Sequence, residues 1–321
     1  MDRKPLLKGI AEKIEDRMLL GAVYDNIIRR VRYRGEKLDF RYNVLVGQKH
    51  RMLYYKRLRK KYLAKALENR DWEGKEQVCN SDTVWFCWLQ GMEQAPLLVK
   101  RCYASLQKNL PGKKLVVVTE ANLQEYAEIP GYIMEKWKKG IITNAHFSDI
   151  LRLELLIRHG GYWIDSTVYC TGDKLTGYVD KMPLFMYSWY YFGFSAEIME
   201  LNNWFIHSCT NEPILCLTLR LLYDYWKREN RARDYFLTQL FLTMACEYYR
   251  EDYEKMPIVS QADAHILATY MGQPYEEEKF ALLKESTGIH KLSNKFGAKD
   301  KGQAGSFYDY LINKGGQEGE Q

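Results

Sequence analysis

The sequence predicts an α/β protein: a parallel sheet flanked by helices, with a helical extension ahead of it. Three stretches carry that prediction. Residues 83–88, TVWFCW, and 114–119, KLVVVT, are short, nearly continuous apolar runs rich in β-branched and aromatic residues. Such runs suit strands buried on both faces of a parallel sheet. A helical pattern over 96–109 and the turn PGKK separate them, and strand, helix, strand with short loops implies a parallel crossover. The third stretch is 144–170, NAHFSDILRLELLIRHGGYWIDSTVYC. It reads as a buried helix capped by Asn144, a double-glycine stop, and a short strand that ends on one carboxylate, Asp165.

Ahead of the sheet, residues 5–70 read as helices. Leu6, Ile10, Ile14 and Met18 recur at helical spacing, as do apolar positions around Ile27, Ile28 and Val31. Over 50–68 a basic amphipathic helix carries Leu53, Tyr54, Leu58, Tyr62 and Leu63, and the polar run 69–82 reads as a connection. Between the second strand and the double glycine, Ala121–Tyr126 reads as helical, and Pro130 opens a helix through Lys139 that Gly140 ends. Later, MPLFMYSWYYF and NNWFIHS read as strands, and EPILCLTLRLLYDYWKRE and ARDYFLTQLFLTMACEYYR as amphipathic helices. These readings divide the chain into a basic helical region (1–75), the sheet domain (76–296) and a Gly-, Lys- and Gln-rich tail (297–321) expected to fray.

Bulk properties narrow the class. A chain of 321 residues with 46 % hydrophobic content can bury one large core. The 25 Tyr, 12 Phe and 8 Trp suit sugar binding, but packing uses the same residues. The net charge of +6 is uneven: residues 49–65 carry eight Lys or Arg and no acid. That run is either a solvated helix face or a contact for anionic lipid or another polyanion. No zinc-finger, ribonucleoprotein or helix-turn-helix pattern accompanies it, so no nucleic acid is expected. The seven cysteines never fall in a CxxC spacing, and buried free thiols in a reducing cytosol are the simplest expectation. The opening residues lack an apolar signal region, and no stretch has the roughly 18 uncharged apolar residues of a membrane span. The expectation is a cytoplasmic chain, with peripheral contact at the inner membrane face if the basic helices dock on lipid.

Ligands of open α/β sheets bind beyond the carboxyl ends of the strands. Trp88, Gln90 and Gly91 follow the first strand, Thr119, Glu120 and Asn122 the second, and Asp165, Ser166 and Thr167 the third. A lone acid there is as readily a turn cap or half of a buried ion pair as a ligand. Asp149 and Arg152 add to it. They sit i, i+3 on an otherwise apolar helix, while Glu154 and Arg158 form a second polar pair on another side.

The run FSDILRLELLIRHGGYWIDSTV resembles the capsular polysaccharide synthesis glycosyltransferases, relatives of glycosyltransferase family 32. VWFCWLQGMEQAP resembles their first strand and loop, and NNWFIHS and GIHKLSNK resemble later blocks, so the resemblance spans roughly residues 75–295. It implies a GT-A fold, a Rossmann-like nucleotide-sugar domain over 76–296. It implies transfer of a sugar from a nucleotide-diphosphate donor, a UDP-sugar by expectation, to a hydroxyl of a polysaccharide or lipid-linked glycan, with retention.

Asp165 matches the first acid of the family's DXD motif, which holds Mn²⁺ or Mg²⁺ on the donor diphosphate. Thr167 stands where a second carboxylate would be. The resemblance further implies Asp165, Asp149 and Arg152 as the catalytic set. It puts Trp88, Gln90, Ser148, Asp149, Arg152, Ser166, His290 and Lys291 around the donor, and Asp165, Thr167 and His290 on the cation, with Lys295 a further candidate. Asp234 is either a helix-start charge or an acceptor-side acid, and Asn203 and Trp204 either line the acceptor cleft or pack. The alternatives to an enzyme are a non-catalytic nucleotide-sugar- or carbohydrate-binding protein on the same fold and a polyanion-binding protein built on residues 49–65.

Overall fold

A computed structural model describes residues 19–32, 38–174, 176–189, 198–297, 301 and 303–316. The expected helical repeat through Leu6, Ile10, Ile14 and Met18 lies outside the described residues, as do residues 190–192 of the run MPLFMYSWYYF. Helix α1 spans Leu19–Arg32 and α2 Leu38–Leu58, the latter running on through a π-helical turn, Arg59–Leu63. Strand β1 is Thr83–Cys87, α3 Leu97–Asn109, β2 Lys114–Val118, α4 Gly131–Lys138 and α5 Asn144–His159. Strand β3 is Gly161–Ile164, β4 Val168–Cys170, β5 Leu184–Ser188 and β6 Leu201–Ser208. Helices α6 (Pro213–Arg228), α7 (Leu237–Tyr248), α8 (Ala262–Tyr270) and α9 (Glu277–Ser286) precede the last strand, β7, Ile289–Lys291.

The central sheet has five strands in the order β2-β1-β3-β6-β5. Strands β2, β1 and β3 are parallel, and β6 runs antiparallel to both β3 and β5. The sheet is thus mostly parallel with one reversed strand, a Rossmann-like α/β sheet flanked by helices. Alternation along β1 sends Trp85 into one apolar layer with α5, α6 and α7, and Val84 and Phe86 into another with α3. Strand β2 corrects one expectation. It is an edge strand, and most of it is only half-buried.

The turn from α5 into β3 depends on its glycines. Gly160 and Gly161 have φ of +64° and +87°, which side chains other than glycine's rarely adopt. A Cβ on Gly161 would lie 2.4 Å from the Thr83 carbonyl oxygen, so bare backbone is what lets β3 close on β1. At the other end of α5, Thr143 rather than Asn144 is the N-cap, its side chain accepting from the His146 amide. Asn144 instead accepts from the Trp137 indole at 2.8 Å.

Three further expectations change. Cys79 and Cys209 form a disulfide across 130 residues, so two of the seven cysteines are not free thiols; Cys87, Cys102, Cys170, Cys216 and Cys246 are buried and free. Residues 303–316 do not fray as a unit, since Phe307, Leu311 and Ile312 are buried in one cluster with Leu98 and Cys102 of α3. The basic run pairs several of its cations with acids of the sheet domain, Arg51 half-buried and Arg59 and Lys61 on the exposed face. Arg51 pairs with Asp234 at 3.1 Å, Arg59 with Glu247 at 2.9 Å and Lys61 with Glu229 at 2.5 Å. Among the described residues, no helix is long and apolar enough to cross a membrane.

Candidate functional site

A cleft of about 400 Å³ opens beyond the carboxyl ends of β1 and β3, the size of a small-ligand pocket. Trp88, Gln90, Ser148, Asp149, Arg152, Asp165 and Ser166 line it, joined by Asn144, Asn203, Tyr235, Gln239 and Asn294. Residues from α5 and from the ends of β1 and β3 meet there because the two strands are neighbours in the sheet and α5 packs against both.

Arg152 is the hub. Its guanidinium lies 3.0 Å from Asp149 and 3.6 Å from Asp165. It also donates to the Asn203 carbonyl and to the Ser148 carbonyl at 3.3 Å, and stands 4.8 Å over the Trp163 ring. Only 5 % of Arg152 is exposed. A planar fork with its donors engaged in this way positions carboxylates rather than reaching for a ligand. Asp149 is held as tightly, accepting from Asn203 Nδ2 at 3.0 Å and Thr238 Oγ1 at 2.8 Å.

Asp165 receives the Trp163 indole N–H at 2.9 Å and the Lys291 ammonium at 3.1 Å. Burial works against its ionisation, but Lys291, Arg152 and the Trp163 bond outweigh it and hold the carboxyl below the usual range. The site therefore presents an anion at neutral pH. Lys291 also donates to Thr167 Oγ1 at 2.6 Å.

His290 does not join these groups. In β7, opposite β4, Lys291 pairs with Val168 and His290 with Tyr169, and alternation turns neighbouring side chains to opposite faces. His290 is fully buried and meets Thr171 Oγ1 at 2.9 Å, so it is corrected from a donor and cation ligand to a packed residue. Burial lowers its pKa to about 4 and keeps it neutral. Lys295 is exposed and does not line the cleft. Asp234 accepts from the Phe236 amide at 2.8 Å just ahead of α7, the helix-start role. The pair Asn203 and Trp204 divides: Asn203 lines the cleft, while Trp204 stacks on Tyr187 at 4.6 Å.

The arrangement does not fit a divalent cation. Asp165 and Thr167 supply one carboxylate and one hydroxyl, and an ammonium already bridges them. Among the described residues, no group of three or more His, Cys, Asp or Glu is placed to hold a metal.

Sequence reasoning missed Trp163, Thr238, Tyr235 and Gln239. Trp163 had a signal, since it precedes Asp165 by two in a strand and so shares its face. Gln239 donates to Asn203 Oδ1 at 3.0 Å, while its own Oε1 has no protein partner at the cleft. Nothing local marked it.

Over residues 36–311 the sequence matches the family described as "Capsular polysaccharide synthesis protein". The chain belongs to the capsular polysaccharide synthesis family. The match takes in the whole cleft and β7. The comparison with curated proteins found no match. Among solved structures, the capsular polysaccharide synthesis chain is similar to one titled "PaToxG Glycosyltransferase", with a TM-score of 0.36 and 15 % identity, covering 62 % of this chain and 80 % of that one.

Proposed function

We propose that this capsular polysaccharide synthesis protein is a glycosyltransferase. It moves a sugar from a nucleotide-diphosphate donor, by preference a UDP-sugar, to a hydroxyl of a growing polysaccharide or lipid-linked glycan, with retention. The observation that carries the proposal is the pinned set of Asp149, Arg152 and Asp165 lining the strand-end cleft, with Lys291 paired to Asp165. Asp165, positioned by Arg152 and taking one side-chain bond at each oxygen, keeps acceptor capacity for a sugar hydroxyl. Lys291 supplies positive charge where a diphosphate leaving group would gather negative charge. Trp88 lines the cleft and its buried indole N–H has no protein partner, and Tyr235, 66 % exposed, offers an open ring there. Both suit a base or sugar face.

Donor hydrolysis measured across UDP-, GDP- and CMP-sugars tests this. At least one donor should turn over, and Asp165→Ala should slow it by roughly 100-fold or more. Proton NMR of the anomeric product reads the stereochemistry. Turnover of no donor, or an Asp165→Ala chain as active as the parent, would sink the proposal.

A further inference from the structure

We infer that Lys291 stands in place of a divalent cation, so that this protein binds the diphosphate of its donor without metal. The inference rests on the nucleotide-sugar reading above and concerns how that site holds its ligand.

Backbone geometry fixes the lysine. Strand β7 pairs antiparallel with β4, setting Lys291 opposite Val168, and the next amide, Leu292, donates to the Thr167 carbonyl at 2.8 Å. The side chain therefore starts beside the Asp165–Thr167 turn and needs no long reach. Its ammonium meets Asp165 Oδ2 at 3.1 Å and Thr167 Oγ1 at 2.6 Å. These are the two oxygens that the DXD-type pattern would offer a metal.

Charge then decides between the two occupants. Asp149 and Asp165 are matched by Arg152 and Lys291, so the cluster is neutral before any donor enters. Mg²⁺ and Mn²⁺ sites are built on hard oxygens, at about 2.0–2.1 Å for Mg²⁺. Here a divalent ion would have one carboxylate, would have to expel the ammonium, and would leave it nearby as a like charge. A nucleoside diphosphate meets the opposite situation. Its charge is complementary to Lys291, and a lysine is a compact point charge suited to phosphate oxygens. As the diphosphate binds, the ammonium need only turn from Thr167 toward it while Asp165 keeps it charged.

The experiment is calorimetric titration of UDP, then GDP and CDP, into the full chain, once with EDTA and once with Mn²⁺. The expected result is one nucleotide whose Kd agrees within about twofold in the two buffers. Lys291→Ala should weaken it roughly tenfold or more in both, and Lys291→Arg should recover part of the loss. Circular dichroism and Tm of each variant separate a lost charge from a lost fold, and Lys291→Gln gives a second neutral replacement. Binding that needs Mn²⁺ overturns the inference and leaves the nucleotide-sugar reading standing. So does metal-free binding that a folded Lys291→Ala or Lys291→Gln chain retains in full. If no nucleotide binds in either buffer, the inference and the nucleotide-sugar reading fail together.

Discussion

At the scale of single residues, the site is a set of polar groups held by one another, and what is left unsatisfied points at the ligand. Arg152 and Asp149 have protein partners for their main donors and acceptors. Gln239 does not: it lines the cleft, is only 7 % exposed, and its buried Oε1 has no donor. A buried acceptor left open costs stability unless a ligand donates to it. Gln239→Met should therefore weaken UDP-sugar binding by roughly five- to tenfold. UDP alone, which has no sugar to offer that acceptor, should bind within about twofold of the parent, and paired titrations of the two ligands read the difference. The residues visible in the sequence were those with local signatures. Asp149 and Arg152 stand a helical turn apart, and Asp165 ends an apolar strand. Asn203 and Thr238 reach Asp149 from β6 and α7, and Gln239 reaches Asn203, and such contacts leave no spacing to find.

At the scale of elements, the helix–glycine–strand unit of α5 and β3 was legible because every part of it is local: periodic leucines, two glycines, a short apolar strand. Its partners were not. The parallel neighbour of β3 is β1, some 80 residues earlier, and its antiparallel neighbour β6 comes later. The Cys79–Cys209 bond spans 130 residues, and the acids that Arg51, Arg59 and Lys61 meet lie in or beside α6 and α7. The crossover at Gly161 gives the sharpest test of the unit. Gly161→Ala adds a positive-φ strain and a contact with the Thr83 carbonyl oxygen, and should cost about 2–4 kcal/mol in urea unfolding. Gly131→Ala, where an added Cβ meets nothing within 4 Å and φ is not positive, is the control. It should be neutral or stabilising by up to about 1 kcal/mol. Equal effects of the two would mean that β3 does not depend on bare backbone for its approach to β1.

At the scale of the whole molecule, buried titratable groups set how stability follows pH, and they oppose one another. Burial lowers the pKa of His207 and of His290 from 6.5 to about 4. Between those values the unfolded chain binds protons that the folded chain refuses, so stability rises with pH and is lost as pH falls from 6.5 toward 4. Glu212 acts the other way. Burial raises its pKa from 4.5 to about 8 despite its bond to the Leu215 amide at the start of α6. Over that span the folded chain holds a proton that the unfolded chain lacks, so stability falls as pH rises. His146 and His265 are lowered by burial as well, and Glu154 is raised by it, so the histidines win on the acid side of neutrality and the glutamates, Glu212 foremost, on the alkaline side. Stability should therefore peak in the region of about pH 6.5–7.5, with a slope of about 1.4 kcal/mol per pH unit for each uncompensated proton. Depressed carboxyls such as Asp165 and Asp180 steepen the loss only at lower pH still, as each becomes protonated. Urea unfolding at half-unit steps from pH 5 to 8.5 measures the curve. Glu212→Gln keeps an acceptor for the Leu215 amide but cannot ionise, so it should flatten the alkaline limb and leave the acid limb falling. A parent curve flat from 6.5 to 8, or a variant that still loses stability there at the parent's rate, would remove Glu212 as the cause.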